Sequence, residues 1–284
     1  MIYKDNLFDS SAFNVRLSHI KKNDSAKKDL FRSGDPDFMT SLARGLEVMG
    51  TLSQSDSELK MPEISKQTNL SRAVVRRCLY TLQELGYVES KPLGFRLLPK
   101  VLSLGQSYYG AKALPQIAQP FLEQVHLETG ESCSLAILDG SEVIYIARST
   151  SRRIMNVSLN IGSRLPAFCT SLGRALLAHL SPKELQNHLS KEKYRPLTAN
   201  TITTISELTK AINQVAKDGY ALVDQELEVG LRSLSVPVIN QQGSVIAAMN
   251  VGVSASRISN ARMLQNILPV LRNAGKLLGE QTSL

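Results

Sequence analysis

"MPEISKQTNLSRAVVRRCLYTLQELGYVESKPLGFRLLP", residues 61–99, alternates helix-starting, helix-stopping and turn-forming residues at short intervals. Pro62 sits where a helix would begin, since its fixed φ and missing N–H suit a first helical turn. "PEISKQTN" then predicts two helical turns ending at Asn69. Ser71 caps a longer helix over 71–84. In it Val75, Cys78, Leu79, Leu82 and Leu85 recur at three- and four-residue spacing and predict a buried stripe. Gly86 stops the helix. "YVES" and "FRLL", joined by "KPLG", predict two short antiparallel strands.

With that stripe turned inward, Arg72, Ala73, Arg76 and Tyr80 face outward and Arg77 flanks them, while Lys91 and Arg96 lie on the hairpin. Short helix, tight turn, basic helix and basic hairpin, in this order, predict a winged helix-turn-helix. In that arrangement the second helix enters the major groove of double-stranded DNA and the hairpin touches the neighbouring backbone. Arginine suits the groove because its planar fork bonds guanine O6 and N7 together, or clamps a phosphate. Ser71 and the open N–H groups beside it favour a phosphate oxygen. A solvated cationic face, or a winged helix that meets another protein, would use the same residues; steep salt dependence of duplex binding separates these readings.

Working outward, "SLARGLEVMGTLS" places Leu42, Leu46 and Met49 on one helical face, predicting that this face is buried and that the first domain spans 38–99. Residues 1–37, with "KKNDSAKKD" and "SGDPD", predict a flexible polar leader. A connecting helix is expected over 100–112 and a second domain over 113–284. There a helix over 115–129 precedes a hairpin turning at Asp139-Gly140, a strand in "RRIMNVSLNIG", and a helix capped by Thr170 or Ser171. A further helix ends at Gly219, three strands follow with a turn at Gln242-Gly243, and a helix closes the chain. Antiparallel strands bracketed by helices define an α+β fold.

The 284 residues carry a formal net charge of +8 and a pI near 9.4, a mild preference for polyanionic partners. Three cysteines without CxxC spacing predict a reducing, cytoplasmic setting with no disulfide frame and no metal site. No eighteen-residue apolar run and no signal peptide stand in the chain, so no membrane partner is expected. Cys169 lies before a helix start, where a thiol can be activated, but no histidine is spaced to serve it. No phosphate-binding or dinucleotide fingerprint occurs, so no enzymatic activity and no cofactor are expected.

The stretches "RAVVRRCLYTL", "LLPKVLSLG", "YIARS", "GSRLPAFCTSLGRALLA", "DGYALVDQELEVGLRSLSVPV" and "IAAMNVGVS" resemble the IclR family of transcriptional regulators, from about residue 38 to the end. More narrowly they resemble its branch governing the β-ketoadipate pathway of aromatic-acid breakdown. The resemblance implies a GAF-like antiparallel-sheet effector domain behind the winged helix-turn-helix. It also implies a homodimer or dimer of dimers, and an activator sensing a small carboxylic acid, β-ketoadipate or protocatechuate. A repressor responding to another small acid is the alternative. Placed on this sequence, the effector site would draw on Thr170 and Ser171 at a helix start. Arg148, Arg164 and Arg232 would supply charge, and Ser233, Ser235 and Asn250 neutral hydrogen bonds. Plain caps and ion pairs, such as Arg164 or Arg174 with Glu226 or Glu228, would explain the same residues without a ligand.

Overall fold

The structure, a computed structural model, describes residues 35–55, 57–105, 113–150, 159–191 and 194–282. The chain divides into two compact units, Met1–Tyr108 and Tyr109–Leu284. The expected leader falls outside the described residues up to position 34. Of the expected connecting helix, Pro99–Gly105 is a 3-10 helix, and 106–112 lie outside the described residues.

The first unit holds α1 (Thr40–Ser53), α2 (Met61–Thr68), α3 (Arg72–Glu84), β1 (Val88–Lys91) and β2 (Gly94–Leu97). Glu63 closes a capping box on α2 by accepting the Lys60 N–H at 2.7 Å. Asn69 ends that helix at φ 57°, a left-handed position that asparagine tolerates. Ser71 Oγ then accepts the Val74 N–H at 3.4 Å and starts α3. Val75, Leu79 and Leu82 are buried as the spacing predicts, but Cys78 is half-buried and Leu85, at the helix end, is exposed. The hairpin runs in register from Val88–Leu97 to Lys91–Gly94, and Leu59 bridges Phe95 on its far side.

One expectation for α1 is overturned. Leu42 and Leu46 are 57% and 56% exposed and Met49 is half-buried; Val48, Thr51 and Leu52 are the buried positions. The helix has apolar residues on two faces, and packing against α3 selects the face centred on Val48 and Leu52.

The second unit begins with α4 (Leu114–Thr129), β3 (Ser132–Asp139), β4 (Glu142–Ser149), β5 (Arg164–Pro166), α5 (Ser171–Leu177) and α6 (Pro182–Ser190). It continues with α7 (Ile205–Asp218), β6 (Ala221–Asp224), β7 (Leu231–Ile239) and β8 (Val245–Ser254), and a closing helical stretch ends in α8 (Leu268–Gln281). The strands form one antiparallel sheet in the order β5-β4-β3-β8-β7-β6. Gly140 and Gly243 take φ values of 58° and 81° at the two predicted turns. The strand expected in 152–162 lies mostly outside the described residues, and its described end leads into a turn.

Strand periodicity divides the sheet's two faces. Leu135, Leu234, Val236, Met249 and Val251 pack with α4 and α8 as the main core. Ser134, Ser233, Asn250 and Gly252 point to the other face, where α5 lies across the strands. Against the core face α8 approaches β7 so closely that a Cβ on Gly279 would lie 1.9 Å from the Ile239 carbonyl oxygen. Gly279→Ala is therefore expected to destabilise the protein by about 1–3 kcal/mol, outweighing alanine's helix preference of about 1 kcal/mol. Chemical denaturation measures this; unchanged stability would mean that α8 slides off β7 freely.

Candidate functional site

On α3 the buried Val75, Leu79 and Leu82 fix the orientation of the opposite face. Ser71, Arg72, Ala73, Arg76, Arg77 and Tyr80 are all exposed. Arg72, Arg76 and Arg77 make no ion pair with any described residue. The hairpin cations differ. Lys91 Nζ lies 3.2 Å from Glu89 Oε2, and Arg96 Nε bonds Glu89 Oε1. The Arg96 hydrogen bond holds the Glu89 carboxyl below its usual pKa range. The hairpin thus carries its own counter-ion, and the open positive charge sits on α3. Lys100 donates to the Leu85 carbonyl at 2.8 Å and covers the Tyr87 ring, closing the end of α3.

In the second unit a cavity of about 50 Å³ lies between α5 and the inner face of the sheet. Its walls are mainly apolar, including Leu165, Leu172, Val223, Leu227 and Leu231. Of the eight residues proposed from sequence, Arg148, Thr170, Ser171, Ser233 and Asn250 line it. Arg148 Nη1 donates to the Leu159 carbonyl, while its buried Nε has no partner among the described residues. Burial lowers the Arg148 pKa from the usual arginine range, yet a guanidinium stays protonated at neutral pH. Tyr145, missed in the sequence, also lines the cavity; burial pushes its phenol up, so it remains a neutral donor. Ser171 and Ser233 share a hydroxyl–hydroxyl hydrogen bond, and Asn250 Nδ2 donates to Ser233 Oγ at 3.0 Å.

Three proposed residues do not line the cavity. Arg164 sits on the edge strand β5, bonded to Glu142 and Asp139 at 2.6 Å each. Arg232 Nε donates to Asp224 at 2.7 Å, and its Nη1 donates to the carbonyls of Ala255 and Ile258 at 2.9 Å. Its donors tie β7 to the turn after β8. Ser235 is buried and donates to the Met249 carbonyl at 3.0 Å. Thr170 lines the cavity as a cap: it accepts the Gly173 N–H at 3.2 Å and donates to the Pro166 carbonyl at 3.0 Å. That N–H is therefore engaged within the helix start.

The segment over the cavity is anchored from below. Arg174, on α5, makes two 2.6 Å bonds to the Glu226 carboxylate, and both side chains are buried. Thr198 and Thr201 donate to the carbonyls of Gln225 and Glu226 at 2.7 and 2.6 Å. Leu227 follows directly and reaches the cavity wall. Gly173 lets α5 fold against Ala167, whose carbonyl oxygen would stand 2.1 Å from an added Cβ. Cys169 also lines the cavity, and burial pushes its thiol up to about 12. At neutral pH it is an un-ionised thiol, a weak nucleophile.

The IclR helix-turn-helix domain family matches residues 41–92, and the C-terminal domain family of bacterial transcriptional regulator IclR matches residues 106–279. The Pca regulon regulatory protein of Pseudomonas putida is 42% identical over 257 residues, covering 90% of this chain and 88% of that protein. The p-hydroxybenzoate hydroxylase transcriptional activator of Acinetobacter baylyi is 32% identical, covering 85% and 91%. Among solved structures, a double mutant of the PobR transcription factor inducer-binding domain from Acinetobacter, complexed with 3-hydroxybenzoic acid, is 32% identical. It superposes with a TM-score of 0.57 over 59% of this chain and 98% of that one. With both domain families matched in the expected order, the chain belongs to the IclR family of bacterial transcriptional regulators.

Proposed function

We propose that this regulator controls genes of aromatic-acid catabolism, activating them when a small carboxylic acid, β-ketoadipate or protocatechuate, occupies the second-unit cavity. The observation that carries the reading is Arg148, a cation whose buried Nε has no partner among the described residues, in an otherwise largely apolar chamber. Such a donor matches a carboxylate better than water, because charge-assisted hydrogen bonds strengthen where solvent is excluded. The regulators of the pca regulon and of p-hydroxybenzoate hydroxylase among its relatives support the pathway and the activating output.

On DNA, Arg72 and Arg76 read base edges and Arg77 holds the backbone, with Lys91 and Arg96 as weaker contacts that compete with Glu89. Met39, just before α1, and Leu42 and Leu46 on it form an exposed apolar stripe, which supports a homodimer through the first unit. A symmetric dimer requires paired half-sites spaced by helical turns. Gel shifts with the promoter test the reading directly. Arg72→Ala or Arg76→Ala is expected to weaken binding by about 1–3 kcal/mol. Arg77→Ala should weaken all duplex sequences alike. Unchanged affinity in the first two variants would remove them from the interface. No thermal shift with either acid would reject the sensing half of the proposal.

A further inference from the structure

We infer that Asn250 is the specificity-determining residue of the cavity: its side-chain carbonyl accepts a hydrogen bond from a hydroxyl group on the bound acid. The site then selects hydroxylated acids over acids that offer acceptors only. The inference rests on the acid-sensing function proposed above.

Asn250 is 8% exposed and lines the cavity. Its Nδ2 is engaged with Ser233 Oγ, whose hydroxyl pairs in turn with Ser171. Its Oδ1 is buried and has no donor among the described residues. Neighbouring strands do not supply one: Ser235 pairs in register with Asn250 but directs its hydroxyl to the Met249 carbonyl. Ser134, the register neighbour on β3, makes no side-chain bond to it. Buried amide oxygens are rarely left dry, so the missing donor points to a ligand group.

The sheet register says where that group sits on the ligand. Arg148 pairs with Ser134, and Ser134 pairs with Asn250, so the three form one row across β4, β3 and β8. Two strand spacings separate Arg148 from Asn250, roughly 10 Å between Cα atoms. A carboxylate held at Arg148 directs the far end of a compact acid toward Asn250. A hydroxyl there donates to Oδ1. A second carboxylate there would instead face an acceptor, with Ser171 and Ser233 as its neutral neighbours, and a buried charge without a cation is disfavoured. The geometry therefore favours protocatechuate over β-ketoadipate.

Titration calorimetry on the full chain with benzoate, 4-hydroxybenzoate, protocatechuate and β-ketoadipate tests this. At least one hydroxylated acid is expected to bind about tenfold or more tighter than both benzoate and β-ketoadipate. Asn250→Ala should erase that ratio by weakening the hydroxylated acid while leaving benzoate nearly unaffected; Asn250→Leu, which keeps the volume, should do the same. The ligand series on the unmodified protein needs no variant to fold. A hydroxyl preference that survives in folded Asn250 variants overturns the inference. So does β-ketoadipate binding as tightly as the hydroxylated acids, which would mean that the amide presents its NH₂ group to the ligand. Those outcomes leave acid sensing standing. Binding of none of the four acids overturns the sensing function, and this inference with it.

Discussion

Arg174→Ala is expected to lower the stability of the second unit by about 3–5 kcal/mol, because it strands the Glu226 carboxylate in the interior. Arg174 and Glu226 side chains are only 5% and 8% exposed, and their two-pronged contact is the main compensation for burying either charge. The Ile202 N–H, at 3.2 Å, is a further donor to that carboxylate and cannot replace a guanidinium. Truncation also removes the Nε donor from the Phe168 carbonyl. Replacing both charges, Arg174→Met with Glu226→Leu, should recover much of the loss, since the desolvation cost disappears with the ions. Thermal and urea unfolding measure both variants. A single variant that loses less than about 1 kcal/mol would show that water reaches Glu226 and screens it. Leu227 adjoins Glu226 and forms part of the cavity wall, so ligand affinity should fall along with stability.

The second large effect is on ligand affinity alone. Arg148→Gln is expected to weaken binding of the cognate acid by about 2–4 kcal/mol, thirty- to a thousand-fold in Kd. The variant keeps a polar side chain of similar reach but loses the charge that we propose pairs with the carboxylate. Because Arg148 donates, among the described residues, only to the Leu159 carbonyl, the unliganded fold should change little. Promoter affinity without acid should therefore match the unmodified protein, while the acid-dependent response is lost. Arg232→Ala makes the useful contrast. It should cost stability by releasing Asp224 and the turn after β8, and should leave acid affinity largely intact once the protein is folded. If Arg232→Ala abolished binding while Arg148→Gln did not, the acid would sit outside this cavity. An effector can shift DNA binding only by favouring one arrangement of the protein over another. Calorimetry and gel shifts on the same samples thus separate a lost ligand from a lost response.

Much of the DNA-facing unit is written in short-range signals. The Ser71 cap, the Asn69 stop and the Val75–Leu79–Leu82 stripe each depend on partners within a few residues, and all three form as their spacing predicts. The outward face of α3 follows once the stripe is turned inward. The α1 error has the same origin seen from the other side. A helix with two apolar faces carries no local information about which one meets α3, and Leu42 and Leu46 lay on the face left open.

Local chemistry along the chain alone determined most of the helices and strands, though not the short strand β5 or helix α6, and the glycine turns at 140 and 243. Tertiary structure alone decided which arginine is available to a ligand. Arg148, Arg164 and Arg232 look equivalent as residues, yet Arg164 meets Asp139 and Glu142 at the sheet edge, and Arg232 meets Asp224 across the β6–β7 pair. The carboxylates that claim two of them stand eight to twenty-five positions away in sequence. A guanidinium goes to the acceptors nearest in space, and those distances exist only once the sheet has closed.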